Sequence, residues 1–441
     1  MQIKAKEFLN TLAVAGQLVD KRPTPDHPLR GCVGLVATGQ ALTIVSSDLE
    51  HYAELSVPVV DGPREPESIA VPFRALNALL AGPAKRNAVL ELTISTTDAE
   101  HPVLSLDVAD LSGRKPEWLC GLLALDPVRV GVVDSSALRV GLQRVLPAVN
   151  PKHHNVALRR IAWDGGELIA TDGHRLHRAK MPIVGSPLKP ALLSDVIAKL
   201  LVRMLPKEAP VVLQIWEDQA VLDGDVARWL LFCSAAGRLA IRMQEFIFAR
   251  WHGAAEDAVV GVHVIVGRED LLEAIEGEDQ DTGAFASVLL TTHGLRLDVV
   301  VGNEVMGRRT SVPIHGESPL RPGRGVRLQT RYLHDALVAT SSPLVQLTFS
   351  GPLTPMRVAS AQGDGTDHAL MPMTEFEPAL VSEGEDDMCL PGLDETLPLV
   401  VGQLRFYEGE LRVSTDDGDI QWLTRRVAEL HATLAFNPEK K

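Results

Sequence analysis

The chain has 441 residues, is 45% apolar and carries a formal net charge of −14. That length accommodates two to four cores of ordinary domain size and excludes a single small domain; its four cysteines, Cys32, Cys120, Cys233 and Cys389, lack CxxC spacing, which argues against a disulfide scaffold and a zinc ribbon. The acidic total does not exclude nucleic acid, because residues 375–441 hold 15 acids and 6 bases and leave the first 374 residues at only −5.

In chain order, the opening MQIKAKEFLN begins an amphipathic pattern without the apolar core of a signal peptide. No later apolar run of about 18 residues could span a bilayer, so a soluble cytoplasmic protein is expected. A helix is predicted over 7–19, EFLNTLAVAGQLV, followed by a hairpin from Gly39, GQALTIVSSDLEHYAELSVPV, and a second helix over 71–82. The strand VLELTIST and an edge-strand candidate, PVLSLDVADL at 102–111, come next.

The same grammar then returns. A helix over 135–149 precedes the hairpin GGELIATDGHRLHRAKMPI, and a helix over 192–205 and the strand-rich PVVLQIWEDQAVLDGD follow it. In that second helix Leu192, Leu193, Val196, Ile197, Leu200 and Leu201 make one apolar stripe suited to a sheet. A third round has a helix over 267–279, the hairpin HGLRLDVVVGNEVMGRRTSVPI, a helix over 328–340 and the strand PLVQLTFSG. Polar anchors at Asp48, Asp172 and Asn303, spaced by 124 and 131 residues, each stand 10 residues before Pro58, Pro182 and Pro313.

This is the pattern of an internal repeat. It predicts an α+β chain of three tandem domains, 1–127, 128–257 and 258–374, each with two helices on one face of an antiparallel sheet. Residues 375–396 read as an acidic linker. Residues 397–441 read as an appended hairpin, turning at Glu408-Gly409, and an amphipathic helix.

Three further stretches give the repeat a resemblance. ATDGHRL in the middle hairpin, the early KRPTPDHPL, and GPLTPMRVASAQGDGTDHALMPM near 351–373 resemble, in their order, the bacterial sliding clamp, the beta subunit of DNA polymerase III. The resemblance covers about residues 1–374 and implies a DNA-clamp fold that forms a ring as a head-to-tail homodimer. It also implies a non-catalytic processivity factor, without cofactor or metal, that encircles duplex DNA and tethers the DNA polymerase III catalytic subunit and clamp-loader peptides.

Residue by residue, the resemblance places Thr171, Gly173, His174, Arg175 and Leu176 on one wall of a peptide-binding pocket and Met371, Pro372 and Met373 on the other. Glycine admits close approach, leucine and methionine give an adaptable apolar floor, and His174 and Arg175 are expected to supply donors at the rim. DNA-proximal positions are Lys21, Arg22, Arg139, Arg144, Lys152, His153, Lys199 and Arg203, because contacts to phosphate carry no sequence information and tolerate sliding. The helix over 267–279 departs from this, with Glu269, Asp270, Glu273, Glu276, Glu278 and Asp279 against Arg268 alone. Either the channel lining is uneven or this helix turns its acids outward.

Rival chemistry in ATDGHRLHR is weaker. His153, His154, His174 and His177 are candidate metal ligands, and His174 with Asp172 is a candidate acid/base pair, yet strand alternation sends His174 and His177 to opposite faces and no second acidic cluster accompanies them. Asp48 and Asn303 at the equivalent positions make Asp172 chiefly a turn-former. His177 and Arg178 stay without a role at this level. The chain also departs from clamps by continuing 67 residues past MPMT, where Gln403, Leu404, Phe406 and Tyr407 resemble a clamp-binding peptide as well as an ordinary strand. The alternative function is a clamp-fold paralogue that binds proteins without encircling DNA.

Overall fold

Alternation of apolar and polar residues gives each hairpin one face for a core and one for solvent, and the pairing follows it. The computed structural model describes residues 1–20, 22–24, 28–48, 50–80, 89–96, 102–106, 109–114, 128–164, 166–185, 191–218, 227–243, 262–276, 287–302, 308–316, 325–349 and 354–373. Lys21, Asn303, Glu278, Asp279 and the predicted linker and extension over 375–441 lie outside the described residues.

All three predicted hairpins are present. Ala41–Ser47 pairs with His51–Pro58, Glu167–Thr171 with Arg175–Lys180, and Arg296–Val301 with Arg308–His315. The register is the same in each when counted from the anchor: Ser46 faces Ala53, Ala170 faces His177 and Val301 faces Arg308, each pair lying two residues before and five after Asp48, Asp172 and Asn303. Six α-helices accompany them among the described residues: α1 (Ala5–Ala15), α2 (Phe73–Leu80), α3 (Ser135–Val145), α4 (Asp195–Met204), α5 (Arg268–Ile275) and α6 (Thr330–Ala339).

Two predicted elements are corrected. The helix expected over 192–205 starts only at Asp195, because Ser194 accepts from the Ile197 amide and caps it, while Ala191–Ser194 is a strand paired with Arg160–Trp163. Leu192 and Leu193 thus reach the interior from a strand, and Val196 is exposed rather than part of the stripe. The single edge strand expected over 102–111 is instead two strands folded on each other, Val103–Leu106 against Ala109–Ser112, with Leu106 facing Ala109. Doubling back lets Leu104 face Leu111 across one sheet face.

Contacts divide the chain into two compact units. The first holds Met1–Ala255, Tyr332–Gln346 and Val358–Leu370; the second holds Glu256–Arg331, Leu347–Arg357 and Met371–Lys441. In the first, a nine-stranded sheet runs in the order 184–185, 128–134, 210–218, 227–234, 237–243, 51–58, 41–47, 32–37 and 67–72. Phe8 and Leu12 of α1, Leu138 and Leu142 of α3, and Ile197 and Leu201 of α4 share one core with Leu35, Ile44, Trp163 and Phe232 from the strands. In the second, strands 262–267, 308–315, 296–301, 287–293 and 325–329 lie in that order, and α5 buries Leu271, Leu272, Ala274 and Ile275.

Within the first unit the hairpins do not end at their own strands. The second strand of the first hairpin pairs with Gly237–Ile241, and that of the middle hairpin pairs with Thr366–Leu370. At the first of these junctions Gly237 has φ 136°, and a Cβ there would collide with the Glu54 carbonyl oxygen.

Candidate functional site

The middle hairpin turns at Thr171-Asp172-Gly173, and the turn is held by its own side chains. One Asp172 carboxylate oxygen accepts from the His174 amide at 3.0 Å and the Arg175 amide at 3.1 Å, and the Gly173 amide donates to Thr171 Oγ1 at 3.1 Å. Gly173 takes φ 87°, a conformation that favours glycine. The first hairpin is built alike: Asp48 accepts from the Glu50 amide at 3.1 Å and the His51 amide at 2.7 Å. Asp172 and Asp48 are therefore turn-formers, as their repetition suggests.

Three residues after Asp48 and after Asp172, a side chain returns to the anchor. His51 Nδ1 lies 2.8 Å from Asp48, and Arg175 Nε donates to Asp172 at 3.0 Å. Arg175 goes further and is buried, with only 4% of its side chain exposed. Its other guanidinium nitrogens donate to the Asp335 carboxylate of α6 and to the Pro147 carbonyl after α3, and Tyr332 of α6 lies beneath it at 4.5 Å from ring centroid to Cζ. Two carboxylates, a carbonyl and a ring thus occupy the guanidinium fork that the resemblance assigns to the pocket rim. His174 does reach the surface, with its ring stacked on Tyr332 at 6.3 Å. Thr171 is half-buried, Gly173 exposed and Leu176 buried. Met371, Pro372 and Met373 belong to the second unit, are half-buried, and are tied there by the Met373 amide, which donates to the Arg327 carbonyl at 2.8 Å.

The two residues without a role in the sequence gain one. His177 and His368 face each other in the strand register, both fully buried, with ring centroids 4.3 Å apart. His177 Nδ1 is 2.9 Å from the Arg144 carbonyl, while among the described residues its Nε2 and both ring nitrogens of His368 have no hydrogen-bond partner. Loss of water brings His177 down to about 4, against the pull of the Arg144 carbonyl, and burial with the neighbouring His177 and Arg144 holds His368 well below the usual histidine range. Arg178 lies on the opposite sheet face, 2.9 Å from Glu167 and 3.6 Å from Asp367. Among the described residues no group of three His, Cys, Asp or Glu is placed to hold a metal ion.

The basic positions separate into free and committed ones. Arg203 and Lys152 are exposed, as is Lys199, which pairs with Asp195 one turn away, and Arg22 is exposed with its amide donating to Asp20. Arg139 is half-buried and reaches the Lys207 carbonyl at 3.5 Å. The His153 ring accepts from the Asn155 amide at 3.0 Å. Arg144, expected near DNA, is 14% exposed, 3.3 Å from Asp364, and donates to the Ser341 hydroxyl. Burial pushes Asp364 up, but bonds from Thr366 and Ser341 and the charge of Arg144 outweigh it and hold the carboxyl below its ordinary value. On α5 the acids do turn away from their core, with Glu269, Asp270, Glu273 and Glu276 exposed.

Three antiparallel hairpins repeated with one register, backed by α1, α3 and α5 in turn, define the sliding-clamp fold. Solved structures of bacterial clamps share it. The sliding clamp of Bacillus subtilis superposes with a TM-score of 0.70 at 17% identity, over 85% of this chain and 99% of that one. The DNA polymerase III subunit beta of Pseudomonas aeruginosa gives 0.65 at 19%, over 85% and 99%, and the sliding clamp of Bartonella birtlesii, solved bound to griselimycin, gives 0.68 at 17%, over 85% and 99%. No family model matches the chain, and no curated protein matches it. Among the described residues no helix is long and apolar enough to cross a membrane.

Sequence reasoning named the turn but missed Asp335, Tyr332, Pro147 and His368, which lie 28 to 191 residues from the hairpin residues they touch. A signal for part of this was present: an acid followed three residues later by a base occurs both at Asp48/His51 and at Asp172/Arg175.

Arg175→Ala, which takes the guanidinium away from Asp172 and Asp335, is expected to cost about 3 kcal/mol in urea unfolding, with Arg175→Lys recovering only part of it because an ammonium cannot span both carboxylates and the carbonyl. Full stability in the lysine variant would contradict the clip. Because folding depresses both histidines, the unfolded chain binds more protons, so stability is complete above about pH 6.5 and falls as pH drops toward 4, by roughly 1.4 kcal/mol per pH unit for each histidine. His177→Phe, followed by urea titration at several pH values, is expected to flatten that fall.

Proposed function

We propose that the chain is a DNA sliding clamp: a non-catalytic, cytoplasmic processivity factor whose three repeats, 1–127, 128–257 and 258–374, close head to tail with a second copy around duplex DNA. One observation carries this reading. The hairpin's second strand is twice paired by the last strand of the following repeat, 51–55 by 237–241 and 175–179 by 366–370. Among the described residues, Arg308–Thr310 at the start of the third hairpin's second strand and the strand Ala109–Ser112 of the first repeat have no such partner, an acceptor edge and a donor edge on one chain. A head-to-tail contact that uses both closes after two subunits and leaves no such edge open.

The clamp fold and its bacterial neighbours support the same reading, and so does the layout of charge. Lys199 and Arg203 stand on the exposed face of α4 opposite Ile197, Ala198, Leu200 and Leu201, with Lys152 and Arg22 exposed as well. Exposed cations of this kind neutralise phosphate without fixing register, which suits sliding. Tethering of the polymerase catalytic subunit and loader peptides is assigned to Thr171, Gly173, His174 and Leu176 in the first unit and, separately, to Met371, Pro372 and Met373 in the second. Arg175 serves that role by fixing the turn from behind.

A second reading, a clamp-fold paralogue that binds proteins but does not surround DNA, is favoured by the exposed acids of α5. The two readings differ in topology. Loaded onto a nicked circular duplex, a closed ring is expected to stay bound through a salt wash and to be released when the circle is linearised, because a thread without ends holds it mechanically. Equal retention on circular and linear DNA, or none on either, favours the paralogue.

A further inference from the structure

Two strands cap hairpins within the first unit, Gly237–Ile241 on the first and Thr366–Leu370 on the middle one. Where the first junction sets Ala53 opposite Leu239, five residues after the anchor, the middle junction sets His177 opposite His368. All four side chains are buried, so the same core position is apolar in one repeat and a pair of imidazoles in the next. The other core-facing pairs of the middle junction are Arg175 opposite Leu370 and Ala179 opposite Thr366, and neither sets two apolar side chains together. Closure of this capping strand therefore depends on backbone pairing and on the two rings.

The rings are placed to refuse a proton. They meet edge to face with centroids 4.3 Å apart. The Arg144 carbonyl, 2.9 Å from His177 Nδ1, accepts that nitrogen's hydrogen, which leaves Nε2 bare in the neutral ring. Among the described residues neither that Nε2 nor either nitrogen of His368 has a partner, so an added proton meets no acceptor and no water. The surrounding charges do not compensate it. Arg144 of α3 is paired with Asp364, and Arg175 of the hairpin with Asp172 and with Asp335 of α6, so each of these carboxylates already faces a guanidinium. His334, beside Asp335 on α6, is half-buried. Glu167, Arg178 and Asp367 form their ion pairs on the opposite sheet face. Leu146–Ala148 after α3, Ala170 across the hairpin and Val358 of the next strand bring no charge.

We infer that His177 and His368 form an acid-operated latch: with both rings neutral the capping strand stays closed, and a proton on either ring releases Thr366–Leu370 from Arg175–Lys180 while the rest of the first unit remains folded. Release can be local because Val358–Leu370 joins this unit as a short separate segment, apart from Met1–Ala255. Closed, burial holds both rings below the usual histidine range, His177 at about 4. Released, each ring reaches water and titrates near 6.5, so each pH unit below that multiplies the open population about tenfold per histidine. The closure is thus fully stable above about pH 6.5 and weakens as pH falls toward 4, and what it uncovers is the backbone edge of Arg175–Lys180.

Amide hydrogen exchange of the full wild-type chain at pH 7 and pH 5, corrected for intrinsic rates, tests the latch. Protection at 366–370 and 175–179 is expected to fall on the order of 500-fold between the two, from two rings that gain protons on opening, while 237–241, the equivalent capping strand, keeps its protection. Asp364 does not contribute over this range: against burial, bonds from Thr366 and Ser341 and the charge of Arg144 hold its carboxyl below its ordinary value, so it stays ionised at pH 5. His177→Phe alone is expected to reduce the difference to roughly 25-fold, and His177→Phe with His368→Phe to abolish it. No loss of protection at pH 5, loss in step at 237–241, or a selective loss that persists in the double variant would each overturn the latch. The wild-type comparison needs no substitution, so its first two outcomes decide even where a variant fails to fold.

Discussion

An antiparallel sheet has to end somewhere, and this chain ends two of its three hairpins by borrowing a strand from a later repeat. Unpaired backbone groups on an edge strand invite association, and each repeat presents such an edge at the second strand of its hairpin. The borrowed strands come from far away: Thr366–Leu370 covers Arg175–Lys180 and Gly237–Ile241 covers His51–Leu55. The rest of the first unit is arranged about these closures. Arg175 bonds α6 to the middle turn, Arg144 of α3 pairs with Asp364 ahead of the capping strand, and the His177–His368 contact seals the core beneath it.

This arrangement turns two conspicuous residues into structural ones. Arg175 and Arg144 both look like surface cations that await a ligand. Each is held by carboxylates and backbone carbonyls, which apart from Asp172 come from segments farther off in sequence. Such a network is costly to break, because a guanidinium withdrawn from it gives up an ion pair with Asp335 or Asp364. The remaining cations, Lys199, Arg203, Lys152 and Arg22, are on exposed ground, where loose electrostatic contact is possible without strain.

Much of the fold is legible in the sequence because the signals are local. Alternation locates the three hairpins, anchor-to-proline spacing gives them a common length, and the apolar stripes place six helices. The differences arise from local conflicts as well. LLSDV reads as the start of a helix although its serine marks the cap, and Leu192 and Leu193 belong to a strand. PVLSLDVADL alternates smoothly across a reversal, and alternation alone cannot reveal one. The site is less legible. The turn chemistry of Asp172 can be read from its repetition at Asp48, but the occupation of Arg175 depends on Asp335, 160 residues on, and no spacing rule reports a contact of that range. The same holds for His177, whose partner His368 lies within a segment notable for a different motif.

The central claim is that the edges at Ala109–Ser112 and Arg308–Thr310 are left open within one chain so that two chains can close each other. Amide hydrogen exchange read at two protein concentrations tests it directly. Above the dimerisation constant, the amides of 109–112 and 308–312 are predicted to be protected, and on dilution to lose protection together. Those of 175–179 and 366–370, closed within one subunit, are predicted to stay protected at both concentrations. Protection at 109–112 and 308–312 that does not change with concentration would contradict the account.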